Sequence, residues 1–149
     1  MSELLEKARS YEAKKIAATD KESKPLFHIS APAGWINDPN GFSVYNGKIH
    51  LFYQYYPYLR EWGPMHWGHS TTSDMIKWEQ LPCVLAPDEE YDKKGCFSGS
   101  AIEADGKHVL VYTGVTRIKL PDGSEQERQN QCIAFGDGLN YVKHENNPV

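Results

Sequence analysis

Apolar positions along the chain change their period near Phe27. Before it, Leu4, Leu5, Ala8, Tyr11 and Ile16 recur among Glu, Lys and Arg. That spacing, in good helix formers, predicts a helix from Ser2 to about Thr19, with Pro25 ending the segment. After it, short alternating runs are separated by turn residues. Gly41 to Tyr45 and Lys48 to Gln54 flank Asn46-Gly47; Gly99 to Glu103 and Lys107 to Thr113 flank Asp105-Gly106. Each dipeptide is a strong hairpin signal. A third and a fourth strand are expected after each hairpin, at His66–Thr72 and Trp78–Leu85, then at Asn130–Phe135 and Tyr141–Glu145. The unit recurs after roughly 60 residues, within the range of propeller blades. Four-stranded units in series predict an all-β chain: two blades of a β-propeller behind a short N-terminal helix. Since propellers close with about 4–8 blades, either the chain is part of a larger ring or copies assemble. The first is favoured because no closing strand follows Tyr141. Unpartnered blade flanks would then favour self-association.

Strand direction alternates, so the ends of each blade can be assigned. The start of a first strand, the loop between second and third strands, and the blade-to-blade loop share one face. Asn37, Asp38, Gln54, Trp62, Trp67, Phe97 and Ser98 fall there, while the tight turns fall on the other. Asp38 belongs to Trp35-Ile36-Asn37-Asp38-Pro39-Asn40-Gly41. Such a cluster reads first as a turn, and Pro39 limits the backbone around the carboxylate. An acid, an amide and several rings around one mouth suit a sugar, whose apolar faces pack on rings while its hydroxyls need fixed partners.

Composition narrows the partners. The net charge of −4 in 149 residues, with no basic block, argues against nucleic acid or an anionic membrane. No stretch has the length of a membrane span or a signal peptide. The three cysteines lack metal-type spacing, so no metal or cofactor is expected; free thiols in a reducing cytosol are, giving a cytoplasmic expectation.

The wording of the motifs adds a resemblance. W-I-N-D-P-N-G, L-F-Y-Q-Y-Y-P, H-W-G-H-S-T-T-S-D and G-C-F-S-G-S-A, in this order from about Phe27 to the end, resemble the N-terminal part of glycoside hydrolase family 32. Invertases, inulinases, levanases and sucrose-6-phosphate hydrolases belong to it. The resemblance implies a five-bladed propeller followed by a β-sandwich, with residues 1–24 an extension and 25–149 the start of the propeller. It implies retaining hydrolysis of β-fructofuranosides such as sucrose or sucrose 6-phosphate, with Asp38 as nucleophile. Asn37, Gln54, Trp62, Phe97 and Ser98 match positions of the fructose pocket. Retention also needs a second carboxylic acid about 5–5.5 Å away. The family draws it from a Glu-Cys motif, and a further acid from an Arg-Asp-Pro motif; neither motif occurs in this sequence. The implied chain is a β-fructofuranosidase piece inactive by itself. A non-catalytic carbohydrate-binding remnant and a relative acting on other furanosides are the alternatives.

Other candidates have plainer readings. Glu103 sits about 16 Å along its strand from the mouth. Asp88, Glu89, Glu90 and Asp92 read as a solvated loop. Arg60, Lys93 and Lys94 share the mouth face and are weak candidates for a phosphate. His66 and His69, three apart in a strand, point to opposite faces and do not form a zinc pair. Gly95 to Gly99 is not a nucleophile elbow. Asp137 is a turn residue, and Trp35 and Trp78 are expected in the core.

Overall fold

The computed structural model describes residues 1–20, 22 and 24–149. One helix, α1 (Glu3–Ala18), precedes eight strands: β1 (Trp35–Tyr45), β2 (Lys48–Tyr56), β3 (His66–Thr72), β4 (Glu79–Leu85), β5 (Gly95–Ala104), β6 (Lys107–Lys119), β7 (Glu125–Gly136) and β8 (Tyr141–Lys143). They form two four-stranded antiparallel sheets, β1-β2-β3-β4 and β5-β6-β7-β8, the serial order expected of propeller blades. Both hairpin dipeptides take positive φ at both residues, 49° and 73° at Asn46-Gly47 and 51° and 73° at Asp105-Gly106. That conformation matches the twist of the flanking strands. No described helix is long and apolar enough to cross a membrane.

The sheets pack face to face. Phe52, Trp67 and Leu85 of the first meet Leu110, Tyr112, Cys132 and Tyr141 of the second. Toward the hairpin turns this apolar interface becomes polar. His50 Nδ1 lies 2.9 Å from His69 Nε2, and His108 lies between Ser43 Oγ at 2.9 Å and the Tyr141 hydroxyl at 2.7 Å.

The helix is capped by Ser2, whose hydroxyl accepts from Leu5 N at 3.2 Å. Its Leu5 and Ala8 cover Tyr53, Tyr55 and Cys83. It also satisfies the edge strand β4: Arg9 Nε donates to Cys83 O at 2.7 Å, and Cys83 N donates to Glu12 Oε2 at 3.0 Å. Two side chains thus do what a neighbouring strand would do. Arg9 reaches Asn140 Oδ1 at 2.9 Å and Leu139 O at 3.2 Å as well, so one guanidinium joins both sheets.

Burial raises the Glu12 carboxyl from 4.5 to about 7, against the opposing pull of the Cys83 amide, Tyr55 and Arg9. The unfolded chain releases this proton near pH 4.5 and the folded one near 7, so the contribution of Glu12 to stability falls as pH rises between them, by roughly 3 kcal/mol, opposite in sign to that of the buried histidines. Glu12→Gln keeps an acceptor for Cys83 N without the charge. Urea midpoints at pH 5 and 8 check this: the variant gains on the parent at pH 8, and equal midpoints there refute it.

The structure corrects several sequence expectations. Trp35 to Gly41 is not a turn before a strand but the first half of β1. Likewise β5 begins at Gly95, so Phe97 and Ser98 lie in a strand. The strands expected at Lys107–Thr113 and Asn130–Phe135 run on as a long hairpin, because β6 and β7 stay paired out to Lys119 and Glu125. Cross-strand pairs such as Arg117–Glu125, with N···O 3.4 Å, sustain it. Trp35 and Trp78 are half-buried rather than core, and Trp67, expected at the mouth, is fully buried. Asp88 and Asp92 are not a solvated run; Asp92 is fully buried. As expected, His66 and His69 fill structural places and Asp137 forms a turn, accepting from Leu139 N and Asn140 N.

Candidate active site

The two first strands share one irregularity. In β1, Asn37 pairs with Gln54 and Pro39 with Tyr53, which leaves Asp38 as an extra residue. In β5, Phe97 pairs with Thr113 and Gly99 with Tyr112, which leaves Ser98. Both are β-bulges, which interrupt the ladder and re-aim a side chain. Counting pairs from the hairpin turns puts Asp38 and Ser98 at the same level of their sheets. A second bulge follows in β1 between Asn40 and Ser43, where Gly41 has φ of 57°. A Cβ at Gly41 would lie 2.6 Å from the Phe52 ring, so only glycine lets this strand sit on the core.

Buried donors hold the second strand against the first sheet. Gln54, 2 % exposed, donates from Nε2 to Cys96 O at 2.9 Å. Trp67 Nε1 donates to Phe97 O at 3.1 Å, and Cys96 N donates to Met65 O at 2.8 Å. Three main-chain groups, Cys96 N, Cys96 O and Phe97 O, are thereby fixed. The Phe97 ring meets Trp62 edge to face, with centroids 6.1 Å apart, and Trp62 stays 53% exposed. Asn37 Oδ1 accepts from Trp35 Nε1 at 2.7 Å, and Asn40 Nδ2 donates to Asp38 O at 3.2 Å.

Asp38 is exposed and borders a recess of about 430 Å³ whose other walls are Ile29, Ile36, Asn37, Pro39, Leu51 and Tyr53. The candidates thus form two groups. Phe97 and Trp62 are in ring contact and Gln54 reaches the carbonyl of the preceding Cys96; Asn37 and Asp38 join them through the Asn37–Gln54 pair of the β1–β2 ladder.

Beneath Phe97 and Ser98 lies a polar cluster absent from the sequence reading. Lys143 Nζ lies 2.5 Å from Asp92 Oδ2, donates to Ala86 O at 2.7 Å, and contacts Asp88. The same Asp92 oxygen accepts from the Tyr112 hydroxyl at 3.0 Å. Gly95 N donates to Asp92 O at 2.8 Å, which ties the cluster to the strand carrying Phe97. The two carboxylates hold the ammonium well above its ordinary value despite burial. Nothing local to Asp92 announces a lysine 51 positions away.

The model of the Glycosyl hydrolases family 32 N-terminal domain matches residues 28–149. The chain belongs to glycosyl hydrolase family 32. Sucrose-6-phosphate hydrolase of Escherichia coli is 48% identical over 120 residues, 80% of this chain and 25% of that protein. Raffinose invertase of the same species is 45% identical over 120 residues, with the same coverage. The chain therefore spans about a quarter of the length of these family 32 relatives. Among solved structures, the GH32 beta-fructofuranosidase BmSUC1 of Bombyx mori superposes with a TM-score of 0.83 at 45% identity, covering 96% of this chain and 30% of that one. A mutant of that enzyme solved in complex with sucrose gives the same TM-score at 44% identity. Sucrose-6-phosphate hydrolase of Lactobacillus gasseri gives 0.73 at 33%, covering 95% and 27%. The bulged Asp38 and Ser98 both lie within the matched family 32 domain.

Proposed function

We propose that these residues supply the fructose-binding side and the nucleophile of a retaining β-fructofuranosidase acting on sucrose or sucrose 6-phosphate. The observation that carries this is the paired bulge at Asp38 and Ser98, beside a Gln54-braced Phe97 and a half-exposed Trp62. Asp38 attacks the anomeric carbon, and the leaving sugar takes a proton from a second carboxylic acid. Asn37, Gln54 and Ser98 hold hydroxyls, and the Trp62–Phe97 pair lines the apolar face of the ring. No cofactor takes part. The domain is the first two blades of a five-bladed propeller from residue 25 onward, with residues 1–24 as an extension that clasps both sheets.

The proton donor is placed outside these 149 residues. Asp88 and Asp92 are paired with Lys143 rather than turned to the mouth, so we assign the donor to neither. Unpaired buried cysteines suit a cytoplasmic setting. Exposed Phe42, Val44 and Ile102 on the two first strands favour self-association of the chain alone.

Fructose titration followed by tryptophan fluorescence tests the pocket, with saturable quenching expected and lost in Trp62→Leu. The chain alone is expected to release no fructose from sucrose. Release at a rate near that of the sucrose-6-phosphate hydrolases, abolished by Asp38→Asn, refutes the missing donor. Absence of any fructose binding refutes the pocket.

A further inference from the structure

A second concave site lies beside the mouth, on the outer side of the first sheet. The last turns of α1, the segment leading into β1 and the β2–β3 connection enclose about 330 Å³. Lys15, Lys24 and Arg60 line it together with Tyr11, Tyr58 and Thr19, and no carboxylate is among the described lining residues. Three cations around one hollow is unexpected in a chain of net charge −4. None of the three forms an ion pair among the described residues. The Lys15 ammonium lies 5.4 Å from the Tyr11 ring centroid, and the Tyr11 hydroxyl donates to Tyr58 O at 3.3 Å. The Tyr58 hydroxyl itself is buried without a hydrogen-bond partner.

Lysines near a helix C-terminus ordinarily complement its dipole, and Lys15 serves that end. Lys24 and Arg60 lie outside the helix. The helix end is also quenched from within, since Thr19 donates its N–H to Ile16 O at 3.3 Å and its hydroxyl to Lys15 O at 2.8 Å. Two of the last carbonyls are thereby engaged, which weakens the repulsion of an anion by the helix end. Converging cations in a concave wall focus the field on a small anion, and a guanidinium fork fits phosphate oxygens.

We propose that this hollow binds a phosphomonoester. Its position allows the phosphate to be that of the substrate. Gly34, which lines it, is four residues before Asp38, at most about 13 Å along the chain. Arg60 is two residues from Trp62, so the β2–β3 connection serves both sites. In this form the inference rests on the fructoside reading above and extends it to the phosphorylated end of the leaving sugar. Free phosphate offers the same chemistry from a second source.

Calorimetric titration of the chain with inorganic phosphate, sucrose 6-phosphate and sucrose tests this. Saturable phosphate binding is expected, at least tenfold weaker in Arg60→Ala and Lys24→Ala and unchanged in Lys119→Ala on the distant hairpin. These are surface substitutions, and circular dichroism confirms the fold of each. Competition between inorganic phosphate and sucrose 6-phosphate, with sucrose binding unaffected by Arg60→Ala, assigns the site to the substrate. Independent binding of the two assigns it to free phosphate. Absence of saturable phosphate binding, or equal loss in all three variants, overturns the proposal. Fructose binding without phosphate binding sinks this site and leaves the pocket intact; phosphate binding without fructose binding does the reverse.

Discussion

Lys143→Met is expected to lower the stability of the chain by about 3–5 kcal/mol, the effect of leaving a buried carboxylate without its cation. Asp92 is fully buried, and Asp88 and Lys143 are nearly so, with side chains 13% and 12% exposed. In Lys143→Met the Asp92 carboxylate keeps the Tyr112 hydroxyl and the Glu89 N–H at 2.9 Å, but no positive charge. It must then take up a proton or draw in water. Denaturant unfolding at pH 7 measures the loss. The double variant Asp92→Asn, Lys143→Met removes both charges and is expected to recover part of the stability, since buried pairs replaced together are often near neutral. A single-variant loss below about 1 kcal/mol refutes the assignment. Because Asp92 O also holds Gly95 N, the single variant is expected to weaken fructose binding at Phe97 as well.

Acid is expected to open the contact between the sheets. His50 and His69 of the first sheet and His108 of the second meet with ring centroids 4.8–5.1 Å apart. Burial lowers all three, His69 well below its ordinary range and His108 to about 4. The groups facing them are Tyr45, Ser43, Phe52 and Tyr141, and the charges nearest His50 and His69 are the cations Lys48 and Arg9. Only a backbone hydrogen bond at Tyr45 favours the charged form of His50, and burial outweighs it. The folded pKa lies below the unfolded value of 6.5, so the stabilisation is complete above pH 6.5 and is lost as pH falls toward 4. His108 alone accounts for roughly 3 kcal/mol of that loss. Urea midpoints between pH 7 and 4.5 check it, with a shallower fall expected in His108→Gln. The slope does not vanish, because His66, also lowered to about 4, still titrates. An unchanged slope in His108→Gln refutes the role of this cluster.

Local signals carried most of the architecture. Asn46-Gly47 and Asp105-Gly106 determined both hairpins and, through them, the register of each blade. Alternation placed β2, β3 and β6, and Ser2 with the spacing of Leu5 and Ala8 placed the helix. The wording around Asp38 and Phe97 was enough to pick out the candidate site. Each of these depends on residues within a few positions of one another, where turn geometry and side-chain period act directly.

What tertiary structure alone decided follows from pairing over distance. Counted back from the turns Gly99 matches Asn40, but the ladders align it with Pro39, because β1 carries a second bulge at Gly41 that β5 lacks. That shift is what brings Asp38 and Ser98 to the same level. Asp88 and Asp92 read as ordinary surface charges until β8 brings Lys143 beside the blade-to-blade loop. Gln54 and Trp67 become braces for the Phe97 strand only when the second sheet closes on the first. A bulge or a buried ion pair depends on the partner strand opposite it, and no run of residues specifies that partner by itself.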